Sequence, residues 1–531
     1  ETADTTAPSF LGASIQFGTG LLRLNASEII DLTPTSGVDL TKIFLVDTHE
    51  PSNTFTLQLT GATVTNSEDA EHINILLTEE QRTAAILQSG VPGGDLYSLY
   101  LQVQAGGVSD VAGNPSIAID NILLVEVADA IPPKFTSGVL DFNTGTGVLT
   151  LQADEFIDLT EGSTGTPGFG FVDLSKLFLT NEASGTDISL QDATVAPVDF
   201  NLRSHALIIQ MTEAQRAAAV ALSGTPGGDG TALFAHVQDD MLTGFGTQGN
   251  ALNGSVELSE IADTTPPTLT LTALDLSTGV LTLTGSETID ATPSNLVDPS
   301  LLTLVQATGS ATDPVNLAGA IVNSVDGLTI DVTLTETQRV NAIAISGTPG
   351  GDGGAMRIDC GAGAVRDVAT NPSTLSNDVQ VDESPDIVVP TISNVTFDFN
   401  NRQIVIFISE TVKMTSITDQ TKFVVADVSN VHNNVNTHVP ITGATLENVA
   451  DGTSITFTLT ESQKVAIQKF SGTPGGDNTY SVLDVSTTAF SDVALNAVDV
   501  TFNTRIYEIP DTTKPTITSA TIDYGLSTLT I

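Results

Sequence analysis

The chain has 531 residues, with 63 acidic against 17 basic side chains and a formal net charge of −46. So acidic a surface argues against nucleic acid and anionic membrane as partners, because both need a basic face. A single cysteine, Cys360, excludes an intrachain disulfide framework and a cysteine zinc site, and no apolar run reaches the roughly 18 residues of a membrane helix.

In chain order, Asp4-Thr-Thr-Ala-Pro8 opens the sequence as a stiff polar entry, since proline fixes its own φ and restricts its neighbour. Residues 10–17 and 21–26 follow as two strand-like runs, the second alternating apolar and polar residues and closing on Ser27-Glu28-Ile-Ile-Asp31. Further strands are expected at 42–46, 54–64 and 72–77. Thr78-Glu-Glu-Gln81 then reads as a capping box that opens a short helix, which Gly90 and Pro92 stop. Pro92-Gly-Gly-Asp95 turns into a sixth strand at 97–104. A loop with Asp110-Val-Ala-Gly-Asn114 precedes the last strand at 117–127.

This block is copied. The helix signature returns at Met211-Thr-Glu-Ala-Gln-Arg216, Leu334-Thr-Glu-Thr-Gln-Arg339 and Leu459-Thr-Glu-Ser-Gln-Lys464, each followed by Pro-Gly-Gly-Asp, so the module repeats about every 125 residues. Seven short strands, Gly-rich turns and one helical turn per copy predict an all-β protein of tandem Ig-like Greek-key β-sandwich domains, each with one short helix, arranged as an elongated rod. The expected boundaries are 1–127, 128–261, 262–384, 385–509 and, as the start of an incomplete fifth repeat, 510–531. Glu1-Thr-Ala-Asp is no signal peptide and the last copy stops after two strand runs, so an internal piece of a longer chain is expected, or an end that pairs with another chain.

The Asp-Thr-Thr-x-Pro openings, the Ser-Glu that ends the second strand, the Asp-Val-Ala-x-Asn loops at 110–114, 367–371 and 492–496, and the tandem copying together resemble the bacterial Ig-like repeats of large surface adhesins and secreted repeat proteins. The resemblance implies extracellular stalks, adhesins or filament subunits, on a cell surface or secreted, often ordered by calcium.

Strand parity gives the acids a place. If strand one leaves the N-terminal pole of a module, strands two, four and six end there. Asp4, Glu28, Asp31 and Asp110 then share that pole, while the helix and the Pro-Gly-Gly-Asp turn face the next module. The junction acids are Asp129, Glu155 and Asp158; Asp229, Asp263, Glu287, Asp290 and Asp367; Asp386, Glu410 and Asp492; and Asp511. Crowded carboxylates repel unless a cation sits among them, and calcium takes six to eight oxygens in flexible geometry. Two readings stand: Ca2+ bound as a cofactor at these junctions, or acids that only cap turns. Copy four carries Lys413 where Asp31 would be, and copy two lacks the Asp-Val-Ala loop but offers Asp239-Asp240.

Nothing points to an enzyme. His49, His72, His205, His236, His432 and His438 sit at unrelated module positions, and the paired carboxylates recur without the tryptophan platform a glycosidase uses. The Pro-Gly-Gly turns lack the Lys-Ser/Thr of a phosphate loop. Asn25, Asn253 and Asn394 stand in glycosylation sequons. The expected role is a structural repeat segment of an extracellular stalk or filament whose partners are neighbouring repeats or identical chains; the alternative is an adhesin for a glycan or protein.

Overall fold

The computed structural model describes residues 2–47, 55–143, 145, 147–159, 172–181, 187–196, 203–306, 314–427 and 438–531. The chain is mostly β and forms two compact units, Glu1–Thr265 with Val368–Asn371, and Pro266–Asp367 with Pro372–Ile531.

In the first unit the opening repeat contains β1 Phe10–Gln16, β2 Leu21–Ile30, β3 Ile43–Asp47, β4 Phe55–Gln58, β5 Thr63–Val64, β6 Ala70–Leu76, helix α1 Glu79–Ile86, β7 Tyr100–Val103 and β8 Ile119–Val127. Their order across the sheet is β4-β3-β7-β8-β1-β2-β6-β5. β8 serves two ladders. Its first half runs antiparallel to β7, with Val103 opposite Ile119. Its second half runs parallel to β1, with Gln16 opposite Val127. Side chains from both arms share one core: Ile15, Leu22, Leu24 and Ile73 from one, Ile43, Leu45, Leu101 and Val103 from the other. Along β2 the burial alternates as its sequence demands.

The expected fourth strand is two. β4 pairs with β3 and β5 pairs with β6, so the chain changes ladder between them. It does so at a turn closed by Ala62 N–H to the Leu59 carbonyl (3.1 Å), where Gly61 takes φ +96°. A continuous apolar pattern hides such a crossing, which is why seven strands are read and eight form.

The second repeat of this unit reproduces the same strand order over residues 135–261 around its own core. In the second unit the order recurs over residues 269–384. The last repeat breaks its final strand into Thr501–Arg505 and Tyr507–Ile509, and its sheet accordingly separates into four and five strands around one core. Thr521–Asp523 and Thr528–Thr530 form a small hairpin beyond it, exposed throughout.

The capping box forms as expected. In α1, Thr78 Oγ1 accepts from Gln81 N–H (3.2 Å) and Gln81 Oε1 accepts from Thr78 N–H (3.0 Å). The same reciprocal pair starts α2 Glu213–Ala221, α3 Glu336–Ala344 and α4 Glu461–Gln468. Gln81 Nε2 also donates to the Gln58 and Thr60 carbonyls, so the cap residue ties the helix to the end of β4.

Candidate functional site: acidic poles and an arginine clamp

Of the four acids expected at one pole of the first repeat, three come together and Asp31 is not among them. Asp4, Glu28 and Asp110 bring carboxylate oxygens within 4.8 Å of one another. Asp110 is pinned by its own loop: it accepts from Asn114 N–H and Asn114 Nδ2, both at 2.8 Å, and Asn114 Nδ2 also reaches the Asp4 carbonyl at 3.3 Å. The loop motif thus ties the last acid to the entry segment. These hydrogen bonds hold Asp110 below the usual carboxylate range, while partial burial and then the charges of Asp110 and Asp4 push Glu28 up. In the second unit Asp386, Glu410 and Asp492 form the equivalent group, and all three are buried. Asn496 again bonds Asp492 and the Asp386 carbonyl (2.9 and 3.1 Å).

A guanidinium sits among the acids at two of the junctions. Arg82, on α1, is buried and spends all five N–H donors. Nε and Nη2 grip Glu79 (2.6 Å each), and Nη1 reaches the Phe17 carbonyl (3.1 Å) and Asp129 (2.6 Å). Nη2 closes on Glu155 of the second repeat. Glu79 in turn accepts from Phe156 N–H at 3.0 Å. The second unit repeats the arrangement: Arg339 binds Glu336, the Leu276 carbonyl, Asp386 (2.6 Å) and Glu410 (3.1 Å), and Glu336 accepts from Thr411 N–H (2.8 Å). Arg216 pairs with Glu213 and Asp263 (2.8 Å) in the first unit, and Lys464 with Asp511 (2.7 Å) in the second.

One arginine facing three carboxylates leaves excess negative charge in a desolvated place. Burial first, then Asp129 and Glu79, raise Glu155 to about 7 against the pull of Arg82. Burial, Asp386 and Asp492 raise Glu410 to about 7 against Arg339. Burial and Asp386 raise Asp492 despite its bonds to Asn496.

Several of the remaining expected ligands are engaged by other partners. Asp31 caps Thr33 N–H (3.2 Å), and Asp290 pairs with Arg366 (3.0 Å). Asp158 lies at the end of its strand, and Glu287 and Asp367 are buried within the second unit. Asp229 does not join the entry acids. Its carboxylate is taken by Thr231 in its own turn and by Asn181 Nδ2 (2.8 Å), which follows the strand Leu177–Thr180. What meets the next repeat is the first glycine of the Pro-Gly-Gly-Asp turn, two residues before the Asp. Gly93 has φ +94°, and a Cβ there would fall on the Phe245 carbonyl oxygen. Gly350, at φ +93°, stands in the same relation to Val493. A second recurrent device pins this loop: Glu126, on β8, accepts from Gly90 and Leu99 N–H (2.8 and 2.7 Å), as Glu508 does from Gly472 and Ser481.

Of the sequons, Asn25 is exposed on β2, Asn253 donates to the Phe135 carbonyl (3.0 Å), and Asn394 keeps a buried Oδ1. Cys360 is buried and unpaired with another cysteine. His49 and His432 lie outside the described residues; among those described, no histidine enters an acidic group.

No family model and no curated protein matches the chain. Solved structures do. The N-terminal part of the bacterial S-layer protein SbsC matches at 12% identity and TM-score 0.15, over 39% of this chain and 44% of that one. Alpha-2-macroglobulin from Escherichia coli, domains MG0-NIE-MG1, matches at 11% and 0.20, over 70% and 97%. The four N-terminal Ig domains of Dscam1 isoform 9.44 match at 10% and 0.13, over 95% and 99%. Likenesses this remote carry nothing about what the chain does.

The sequence reading missed the arginines. Their signal was present: a cation recurs at one position of every helix signature, in a chain with only 17 basic residues.

Proposed function

We propose that the chain is a non-enzymatic structural segment of an extracellular stalk or filament, built from Ig-like Greek-key sandwiches joined end to end as a rod. The observation that carries this reading is the clamp. Within each unit a buried arginine from one repeat holds acids of the next, and a glycine accepts the neighbour's backbone. The most elaborate polar chemistry of the chain is spent on joining copies. Small-angle scattering of the whole chain tests it: an elongated particle is expected, and a compact one sinks the proposal.

Calcium belongs to this reading at one place above all. At Arg82 and Arg339 a guanidinium offsets part of the charge of the acids around it. Among the described residues no arginine pairs with Asp4, Glu28 or Asp110, and their oxygens suit a hard cation. Calcium titration by calorimetry should register binding that Glu28→Gln removes; an identical heat from the variant would end the calcium part.

The adhesin reading has one observation in its favour. In the last repeat Arg505 lies over the rings of Tyr480 (4.7 Å) and Tyr507 (5.3 Å), an exposed aromatic and cationic surface. A glycan array with no hits counts against it.

A further inference from the structure

One face of the final strand carries different chemistry in each copy. The ladders align the copies: Val103 faces Ile119 in the first repeat, and Val237 faces Asn253, Cys360 faces Ser376 and Val485 faces Thr501 in the others. On that register one trio of positions holds Ser98, Leu123 and Val125, then Ala232, Glu257 and Ser259, then Ala355, Gln380 and Asp382. In the last repeat it holds Tyr480, Arg505 and Tyr507. Two of the chain's 5 tyrosines and one of its 17 basic residues thus gather where no other copy places either.

The trio holds a guanidinium in place and leaves its donors free. Arg505 lies 4.7 Å from the Tyr480 ring centroid and 5.3 Å from that of Tyr507. Two cation–π contacts restrain it, and neither consumes a hydrogen-bond donor. Among the described residues no carboxylate pairs with Arg505 and no acceptor takes its N–H groups. Arg82, by contrast, spends all five on the chain itself. Arg505 and both tyrosines are exposed. The same three positions are also exposed in the first and third repeats, each of which has the next repeat docked against it within its unit. A docked neighbour therefore leaves this face open.

A restrained, exposed guanidinium with unspent donors matches a carboxylate, which it grips through two parallel bonds. The rings add flat apolar faces, each with a polar hydroxyl tip. A polyanion is a poor occupant, because a net charge of −46 repels an extended array of negative groups, whereas one carboxylate meets chiefly the local cation. A pyranose acid combines the required parts: a carboxylate at its rim, a rigid face of C–H groups for an aromatic ring, and hydroxyls for the tyrosine tips. A carboxylate on a flexible peptide side chain brings the charge without the rigid face. We propose that Tyr480, Arg505 and Tyr507 form a site for a sugar acid displayed singly on a glycan, with Arg505 on its carboxylate and the tyrosine rings against the pyranose. The inference deepens the adhesin reading, on which it rests, and does not depend on the stalk reading.

Saturation-transfer NMR of the full chain tests it with methyl glucuronide, methyl glucoside, acetate and the capped tripeptide acetyl-Ala-Glu-Ala-amide. Binding in the millimolar range is expected for one sugar residue on an open surface. The ring protons of the glucuronide should receive transfer, and the neutral glucoside, acetate and the tripeptide should each bind about tenfold more weakly or less. Arg505→Gln should weaken the glucuronide about tenfold, and Arg505→Lys should recover only part of that, because the charge returns without the planar fork. Tyr507→Ser should weaken it with Arg505 still present. Gln380 and Ser259 occupy these positions in the third and second repeats, so the fold accepts both substitutions, and unchanged thermal unfolding checks this. A wild-type chain without transfer, an Arg505→Gln variant that binds like wild type, or acetate or the tripeptide binding as tightly as the glucuronide overturns the proposal. Glycan-array hits that survive Arg505→Gln overturn this site and keep the adhesin reading. An array without hits removes that reading too and leaves the stalk to the scattering test.

Discussion

Arg82 and Arg339 each offset part of the charge of acids that would otherwise repel more strongly, and each satisfies all five donors in doing so. Removing one partner of such a buried set leaves charges uncompensated, at a cost of about 3–5 kcal/mol. Arg82→Met and Arg339→Met should therefore lower the urea midpoint of the unit that carries them and leave the other transition in place. Lysine should rescue only part of the loss, because an ammonium cannot make the planar fork; the Lys464–Asp511 pair is nature's version of that reduced contact. The carboxylates predict a pH effect as well. Glu155 titrates near 7 in the folded chain against an ordinary 4.5, so folding tightens its proton. Its contribution is complete below about pH 4.5 and is lost as pH rises towards 7. Thermal unfolding of the first unit should therefore gain stability between pH 8 and pH 5.5, by roughly 1–3 kcal/mol from this group. Glu155→Gln should flatten the profile, and a profile that keeps its slope in the variant assigns it to another group. The same sign holds for Glu410 in the second unit.

At the scale of elements, the helix and the glycine turn act together. The capping box starts the helix at a fixed residue, which sets the arginine one turn later on the outward end. Thr78→Ala should cost about 1 kcal/mol, with the helix start fraying. The glycine is more demanding. Gly93→Ala and Gly350→Ala combine left-handed backbone strain with a methyl on a neighbouring carbonyl, so they should loosen the joint as well as lower the midpoint. Gly145, at φ +73° with nothing within 4 Å, is the control: alanine there meets only the backbone term. Hydrogen exchange of the Asp129–Pro133 linker, measured across these three variants, should rise for Gly93→Ala and not for Gly145→Ala. These turns were legible in the sequence as turns, from Pro-Gly-Gly alone. Their approach to a neighbour was not, because nothing local to the motif records what lies against it.

Across the whole molecule, a net charge of −46 opposes compaction through self-repulsion, which salt screens. Raising NaCl from about 10 mM to about 500 mM should raise the unfolding temperature by a few degrees. The clamps themselves should respond little, being buried from the ions. An arginine variant should therefore keep its deficit in high salt, whereas loss of the deficit would mean that the clamp acts as a surface pair.

The amino-acid order alone determined the module and its copying, the alternating strands and the capped helix, while strand parity put Asp4, Glu28, Asp31 and Asp110 at one pole, of which three come together. Each of these follows from patterns within a few residues or from counting strand reversals. Only the tertiary structure decided that β8 joins two ladders, that the fourth apolar run divides between them, and that a guanidinium of the chain itself stands among junction acids. Arg82 and Glu155 are over seventy residues apart and meet only because two separately folded sheets bring their ends together; no local preference in either segment encodes that meeting.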